Sequence, residues 1–322
     1  MPDTENVNSI ALFFFRRDLR IQDNIAFDEA LSHCKKYNRK LLTIFTFDPE
    51  QVNKKKNKYF SNNSVQFMVE SLRDLHSTIK KYSDNNGELL YYKGDSIDFL
   101  EDLEKNLKKY NSNNSQKTML TDVFFNSDYT PYAVKRDKAI ETWCQDHKTE
   151  EHQVKCHSFE DYTLHPIDSI KTGQGETYRM FTPFYRVAVK KTPSKPLSFK
   201  PSIIEEVLTT LATIQIRIKN IEPTKSLDSY FVCNEDIEAN VGRDEAMKIL
   251  KRIEDENNDQ FDDYSKDRDF PHKSDKTTKL SAYLKFGCVS IRETYWTFRD
   301  RYTRNHDLVK QLYWKEFYSN IT

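Results

Sequence analysis

The chain has 322 residues, with 50 Lys and Arg residues against 50 Asp and Glu residues, so its formal net charge at pH 7 is zero. This balance excludes a bulk electrostatic attraction to nucleic acid or to anionic membranes, and any nucleic-acid site must be a local patch. The longest apolar run, Ile10 to Phe15, is far shorter than the ~20 residues that a membrane span needs. Because no hydrophobic stretch follows a basic N-terminus, we expect an intracellular protein of the cytoplasm or nucleus.

The first 130 residues alternate between strand and helix patterns. Short apolar or β-branched runs predict strands at residues 10–15, 40–47, 89–92 and 122–125. Apolar residues at helical spacing predict helices at residues 24–35, 66–80 and 97–107. Strands separated by helices imply right-handed crossovers. The predicted fold class is therefore α/β, with a doubly wound, Rossmann-like parallel sheet that binds ligands at the carboxyl ends of its strands.

The composition changes twice along the chain and suggests three regions. Residues 8–137 form the α/β domain, and residues 138–202, which contain five prolines, are a long irregular connector. Residues 203–322 carry helical signals and predict an all-α domain. In this last region Ser290 and Glu293 have the spacing of a capping box, which starts a helix that ends near Tyr302.

The final predicted helix begins near residues 306–307 and carries a stripe of apolar and aromatic side chains to the end of the sequence. Such a stripe needs a partner surface, and little sequence remains to supply one. We therefore expect an incomplete helical domain.

Charged and aromatic blocks follow the predicted strands. Arg16, Arg17 and Arg20, with two aspartates, come directly after the first strand. They could hold an anionic cofactor or a nucleic-acid backbone, or they could neutralise one another in a salt-bridged turn. Residues 126–137 follow the last strand and contain Pro131 near a helix start. Residues 181–186 form an aromatic segment, closed by an arginine, that we interpret as a loop.

Two observations concern metals and thiols. Five widely spaced cysteines form neither a disulfide framework nor a CxxC pair, which indicates free thiols. Possible zinc ligands cluster at Cys144, His147, His152, Cys156 and His157. Their order matches no standard structural zinc site, and there is no HExxH motif, so we expect no metal site.

The segment from Tyr264 to Gly287 has the most chemical character. Thr277 can cap the start of a helix, and Gly287 suits the position just after its end. A helix start with Thr277, Thr278 and Lys279 offers N–H groups, hydroxyls and a cation to a pyrophosphate, although a capped helix with an exposed lysine is the simpler alternative. There is no GxGxxG and no GxxxxGK[ST] motif.

The last helix places Gln311, Trp314, Lys315 and Tyr318 on adjoining turns. An amide, an indole and a cation on one side could read and stack on a flipped-out base. The alternative is an amphipathic helix that buries Trp314 and Phe317.

Taken together and in order, these blocks resemble the DNA photolyase/cryptochrome family over essentially the whole chain. The matching stretches are residues 15–20 with 23–24, 128–133 with 136–137, 181–186, 264–271, 277–287 and 314–318. The resemblance implies a helical domain that binds FAD. It also implies an α/β domain that can hold an antenna chromophore, either a reduced folate or a deazaflavin.

The resemblance also implies roles for individual residues, by position. FAD would be contacted by Tyr264, Thr277, Thr278, Lys279, Leu280, Ser281 and Lys315. UV-damaged DNA would be contacted by Arg268, Gln311, Trp314 and Tyr318, of which Gln311 and Trp314 are the catalytic candidates that face the lesion. The implied reaction is light-driven electron transfer from reduced flavin to a flipped-out pyrimidine dimer.

This sequence departs from the family in three respects. Gln311 stands where photolyases that repair cyclobutane dimers usually have Glu, which looks more like the (6-4) photolyases and animal cryptochromes. Lys315 replaces the usual Arg and loses its bidentate fork. The family's later helices are absent, so we expect a fragment, or one half of a split enzyme that needs a second polypeptide. The alternative is a cryptochrome-like blue-light sensor, or an antenna-domain remnant that acts as a binding module.

Overall fold

The structure is a computed structural model that describes residues 7–147, 153–237, 240–270 and 274–321. Its strands are β1 Val7–Phe14, β2 Lys40–Phe47, β3 Leu89–Lys93, β4 Lys117–Asn126 and β5 Lys155–Phe159. Its α-helices are α1 Ile25–Lys36, α2 Pro49–Val52, α3 Asn62–Tyr82, α4 Ser96–Asn113, α5 Pro131–Asp146, α6 Phe181–Ala188, α7 Pro201–Val207, α8 Arg243–Glu254, α9 Tyr264–Asp267, α10 Ser281–Phe286, α11 Ile291–Arg301 and α12 Asp307–Ile321.

The five strands form one parallel sheet in the order β3-β2-β1-β4-β5. The central strand β1 is apolar on both faces, as expected for a sheet covered on both sides. Its residues Ala11 and Phe13 belong to the core beneath α1 and α3, whereas Leu12 and Phe14 belong to the core beneath α4 and α5. The prediction of a doubly wound α/β sheet is confirmed.

The sheet extends beyond residue 137, where the sequence analysis starts the connector. Helix α5 continues to Asp146, and β5 pairs with β4 from Asp122 opposite Lys155 to Asn126 opposite Phe159. Strand β5 has the sequence Lys-Cys-His-Ser-Phe and lies at the edge of the sheet, so it lacks the apolar run that marks a buried strand. Residues 181–188 also form a helix, α6, and not the loop that we predicted.

The helical prediction from residue 203 holds for α7 but is wrong for the segment that follows. The Thr209 amide donates to the Leu41 carbonyl at 3.1 Å, and the Glu222 amide donates to the Tyr91 carbonyl at 2.8 Å. Leu211 and Ile216 are buried in the core beneath α4 and α5. Residues 208–222 thus satisfy backbone groups of the α/β sheet, and the long helices of the second region begin with α8.

Helices α8, α11 and α12 pack side by side, and α6 covers α12. The predicted capping box is confirmed, because Ser290 accepts from the Glu293 amide and Glu293 accepts from the Ser290 amide. Helix α12 begins at Asp307, as predicted. Across the ranges that the structure describes, each helix is too short or too polar to span a bilayer.

A buried ion network joins the first loop of the sheet to α11. Arg20 contacts Asp161 at 2.5 Å, while Arg292 contacts Asp161 at 2.8 Å and Asp23 at 3.1 Å. These four side chains are at most 3% exposed. Two positive and two negative charges balance one another, so each buried ion has a partner. We call this set the junction network.

The other arginines after β1 are paired as well. Arg16 contacts Asp137 at 2.5 Å, and the more exposed Arg17 contacts Asp128 at 3.1 Å. Both aspartates come from the block at residues 126–137. The geometry therefore favours the salt-bridged turn over an anion site for this segment.

Gly287 ends α10 where this helix meets the loop after β1. Its φ angle is 70°, in the left-handed region, and its carbonyl accepts from Arg20 at 3.0 Å. A Cβ atom at this position would lie 2.1 Å from the Arg17 carbonyl oxygen. Glycine is therefore required here by both conformation and space.

Replacing Gly287 by alanine is expected to lower the free energy of unfolding by well over ~2 kcal/mol, because the left-handed conformation alone costs roughly 1–2 kcal/mol and the contact with Arg17 adds to it. Urea denaturation followed by circular dichroism measures the loss. Gly173→Ala is the matched control, since a Cβ there would meet no atom within 4 Å. Equal losses in the two variants would contradict this account.

Arg292→Met is expected to destabilise the fold by ~3–5 kcal/mol, because it leaves a buried aspartate charge without its partner. Lys248→Met removes a lysine that contacts Glu245 at 2.5 Å on the protein surface, and its effect on unfolding should be small. The two variants are compared by the midpoint of urea denaturation. A similar midpoint for both would mean that the junction network contributes little.

Candidate functional site

A cleft of about 310 Å³ lies between α8 and the segment that leads into α10. We call it the α8–α10 cleft. Its walls combine cations, hydroxyls, amides and carboxylates. They comprise Asn240, Glu245, Ile249, Arg252, Gln260, Asp275, Thr277, Thr278, Lys279 and Tyr283.

Three residues that the sequence analysis assigned to FAD, Thr277, Thr278 and Lys279, come together in this cleft. They do not start a helix, so the prediction that Thr277 is the helix cap is wrong. Helix α10 starts at Ser281 after Leu280, and Lys279 has a φ angle of 53°, which interrupts the helical backbone just before it. Any ligand of these residues would therefore meet a loop of hydroxyls and a cation.

Two hydrogen bonds join residues that line the cleft. The Tyr283 hydroxyl donates to the Asn240 carbonyl at 2.5 Å. Burial raises the pKa of Tyr283 to about 12, so this hydroxyl remains a neutral donor at neutral pH. The Gln260 side-chain amide donates to the Asp275 carbonyl and joins the loop after α8 to the loop before α10. These two hydrogen bonds attach Tyr283 and Gln260, which line the cleft, to the backbone of neighbouring segments.

The other predicted FAD residues lie outside this cleft. Leu280 is buried in the core, and Ser281 is exposed at the start of α10. Tyr264 lies on α9, which packs against α12, and burial raises the pKa of its hydroxyl. Arg268, the predicted DNA contact, is exposed just after α9 with its guanidinium 3.8 Å from Asp307. Pro271, the end of that sequence block, lies outside the described residues.

Lys315 faces the junction between the two regions. Its ammonium donates to the Tyr162 carbonyl at 2.6 Å. Burial, together with the positive charge of Arg17, lowers the pKa of Lys315 to about 8. The next residue, Glu316, accepts from the amides of Leu164 and His165 at 2.7 and 2.8 Å, and burial raises its pKa to about 7. These contacts attach α12 to residues 162–165.

An aromatic face lies on α12 and α6. The Trp314 ring stacks on Phe181 with 3.6 Å between ring centroids and 9° between planes, and it lies 5.7 Å from the Tyr318 ring. Tyr318 is 58% exposed, and Gln311 is half-buried one turn before Trp314. We call Trp314, Tyr318 and Gln311 the α12 face. Trp314 and the buried Phe317 also serve in packing, as the amphipathic-helix alternative predicts.

A larger cavity, of about 700 Å³, lies where β2 and β3 end. Phe47 and Lys93 are the last residues of these strands, and Phe47 stacks on Tyr230 at 4.4 Å. The remaining walls include Lys54, Phe60 and Phe231. We call it the strand-end cavity. The sequence predicts a ligand site at this edge of the sheet without indicating any of these residues.

Sequence reasoning also missed Arg252, Asn240 and Gln260 of the α8–α10 cleft. Arg252 stands beside Lys251 in the last turn of α8, a common position for basic residues, and nothing in the sequence distinguishes it. Asn240 and Gln260 lie in loops whose positions depend on tertiary packing. No motif signal could have found them.

Comparisons with known proteins agree with one another. The family model described as DNA photolyase matches residues 11–201. The chain is 26% identical, over 326 residues, to a deoxyribodipyrimidine photo-lyase of Alkalihalophilus pseudofirmus, and the match covers 98% of the chain and 60% of that relative. It is 27% identical to cryptochrome-1 of Anopheles gambiae, which covers 97% of the chain and 58% of that relative.

Among solved structures, the chain resembles an archaeal photolyase from Sulfolobus tokodaii, described as containing two FAD molecules. The TM-score is 0.67 at 25% identity, with 97% of this chain and 59% of that chain covered. The chain thus spans about three fifths of the length of each of these proteins. Since the family model matches more than half of its residues, the chain belongs to the DNA photolyase/cryptochrome family.

Proposed function

We propose that the chain is a photolyase-type flavoprotein that binds FAD and acts in the light-driven repair of UV-damaged DNA. The proposal rests on one observation: Thr277, Thr278, Lys279 and Arg252 line the same cleft, between α8 and α10. The chemistry that bound, reduced FAD would supply is electron transfer to a pyrimidine dimer under light. The protein's own role is to bind FAD and the damaged DNA and to orient them relative to each other.

The donor set of the α8–α10 cleft fits the diphosphate of FAD. Arg252 and Lys279 provide two cations, and the hydroxyls of Thr277 and Thr278 provide neutral donors. Charge-assisted hydrogen bonds of this kind are about twice as strong as neutral ones. The carboxylates of Glu245 and Asp275 oppose an anion, but Glu245 already contacts Lys248 at 2.5 Å. The cleft suits the diphosphate, and Tyr264, Leu280, Ser281 and Lys315 stay proposed contacts for the rest of the cofactor.

We propose the α12 face as the contact with the lesion. Trp314 and Tyr318 offer aromatic surface on which an unstacked base can lie, and such stacking contributes ~1–3 kcal/mol per base. Gln311 offers a neutral amide that both donates and accepts. Because the chain has no net charge, its contacts with phosphates must be local. We propose Arg268 as one such contact. Gln311 stands where photolyases that repair cyclobutane dimers usually have Glu, and it resembles the (6-4) branch at this position. On that ground we propose a (6-4) lesion as the preferred substrate.

We propose the strand-end cavity for the antenna chromophore. A cavity of about 700 Å³ is of the size that small-molecule sites usually have. The stacked Phe47 and Tyr230 rings suit a planar heterocycle, whether pterin or deazaflavin. Lys54 and Lys93 add cations for an anionic tail.

A blue-light sensor is the second candidate function. The specific support is that cryptochrome-1 of Anopheles gambiae, at 27% identity, is as similar to this chain as the photolyase relative at 26%. A sensor would bind flavin as an enzyme does but would not repair DNA. The two functions therefore share the cofactor test and differ in the repair test.

The cofactor test measures the absorption spectrum of the purified chain and the flavin that it releases per mole. We expect about one FAD per chain. Arg252→Gln and Lys279→Gln should each weaken FAD binding about tenfold or more, because each removes a charge-assisted hydrogen bond of ~1.5–3 kcal/mol. Lys251→Gln, which removes an exposed cation of α8 next to Arg252 but outside the cleft, is the matched control and should bind normally. Normal binding by the Arg252 and Lys279 variants would refute the assignment of the cleft.

Because the relatives are longer than this chain, flavin binding is measured in two ways. One sample holds the chain alone, and the other adds a polypeptide that corresponds to the rest of the A. pseudofirmus relative. Binding by the chain alone supports an autonomous flavoprotein. Binding only in the mixture supports a split enzyme with a second polypeptide, and no binding in either sample contradicts the proposed function.

The repair test illuminates the reduced, FAD-loaded protein with oligonucleotides that contain one (6-4) lesion or one cyclobutane dimer. We expect light-dependent loss of the (6-4) lesion. Trp314→Ala should reduce repair at least tenfold through lost stacking. Tyr59→Ala, which removes a tyrosine that is 80% exposed outside the α12 face, should have no effect. Flavin binding without repair of either lesion would instead favour the sensor.

A further inference from the structure

A group of metal-ligating side chains lies far from the α8–α10 cleft, on the α1 side of the sheet. His33 comes from the last turn of α1, Asp122 from the middle of β4 and His157 from β5. One nitrogen from each histidine and one carboxylate oxygen lie within 4.8 Å of one another. Among the described residues, this is the one group of at least three potential metal ligands that lie this close together.

The distances within this group suit a small, tightly coordinated ion. Nε2 of His157 is 2.8 Å and Nε2 of His33 is 3.2 Å from the same oxygen, Oδ1 of Asp122. Ligand bonds of about 2.0–2.1 Å in tetrahedral geometry place neighbouring ligand atoms roughly 3.3 Å apart. The two separations from Asp122 lie close to this value, and the two imidazole nitrogens lie within 4.8 Å of each other.

The three side chains are buried or partly buried and are held by contacts with their neighbours. The Asp122 side chain is fully buried, whereas the His33 and His157 side chains are 22% and 26% exposed. The His157 ring stacks on Phe124 at 4.4 Å, and the His33 ring lies 5.4 Å from Phe124. Both imidazole rings contact the Phe124 ring. Because the two imidazoles are partly exposed, the group is open to solvent on one side.

We propose that His33, Asp122 and His157 bind one divalent transition-metal ion, with water completing its coordination on the open side. Two imidazoles and one carboxylate form a ligand set that suits zinc and ferrous iron. The ion would connect the end of α1 to two neighbouring strands. It would therefore stabilise the α/β domain.

Arg39 is the competitor of such an ion. Its guanidinium contacts Oδ2 of Asp122 and lies 3.0 Å from Nε2 of His33, and Lys155 adds a positive charge nearby. The Arg39 side chain is 21% exposed and lies over the Tyr37 ring at 5.2 Å. For an ion to bind here, this side chain must turn towards the solvent. The ion must displace this guanidinium from His33 when it binds.

Almost nothing in the sequence pattern indicates this group. Of the ligands that cluster at residues 144–157, only His157 takes part, and His152 lies outside the described residues. Cys156 pairs with Val123 in the sheet and points to the opposite face, where it belongs with the core beneath α5. His33 and Asp122 are separated by about 90 residues and meet only when α1 packs on the sheet.

The test titrates the metal-free full chain with Co²⁺, whose visible bands report its ligands, and with Zn²⁺ by calorimetry. We expect one ion per chain and a rise of several degrees in the thermal midpoint. His33→Gln and His157→Gln should each weaken binding at least tenfold and abolish that rise. Arg39→Gln should bind several-fold more tightly, because the competing cation is gone. Circular dichroism of each metal-free variant verifies that it is folded.

His147→Gln is the matched control, because His147 also lies beside one carboxylate, that of Glu104 at 3.1 Å, but outside the group. It should bind the ion as the original chain does. The proposal is overturned by no binding at millimolar Co²⁺, by unchanged affinity in the His33 and His157 variants, by an equal loss in His147→Gln, or by cobalt–thiolate absorption, which would indicate cysteine ligands. No flavin is needed in any of these measurements.

Discussion

The junction network is the constraint on which the rest of the arrangement depends. Taking a charge out of water costs several kcal/mol, so Arg20, Asp23, Asp161 and Arg292 can be buried only while all four stay together. They come from the loop after β1, the segment after β5 and the first turn of α11. The network therefore fixes the position of α11 relative to the sheet. The positions of α8 and α12, which pack on α11, depend on it.

The α8–α10 cleft follows from this constraint. Arg20 donates to the Gly287 carbonyl, and the Leu19 amide donates to the Phe286 carbonyl at 3.0 Å, so the end of α10 is attached to the sheet. On the other side, Arg243 at the start of α8 contacts Glu293 of α11 at 2.6 Å. Because both walls of the cleft are attached to the same network, residues far apart in sequence face one another at a fixed separation.

The sequence was sufficient for the parts of the fold that local pattern determines. Strands β1 to β4 and helices α1, α3 and α4 have clear sequence patterns, and the Ser290–Glu293 capping box fixes the start of α11. It was insufficient for β5, whose residues are mostly polar, and for residues 208–222, whose backbone pairs with the sheet. In the cleft, Thr277, Thr278 and Lys279 were found by resemblance, whereas the position of Arg252 depends on the tertiary packing of α8, which contacts α11 and α3.

Helix α1 connects the junction network with the group at His33. Its cap residue Asn24 is buried and donates to the Arg20 carbonyl at 3.0 Å and to the Asp18 carbonyl at 3.2 Å. His33 lies in its last turn, and a helix of 12 residues is roughly 18 Å long. An ion held by His33, Asp122 and His157 would anchor the end of the helix opposite to the one that the junction anchors. The two attachments would then constrain α1 at both ends, which is why metal binding should raise the stability of the α/β domain and not only that of its edge strand.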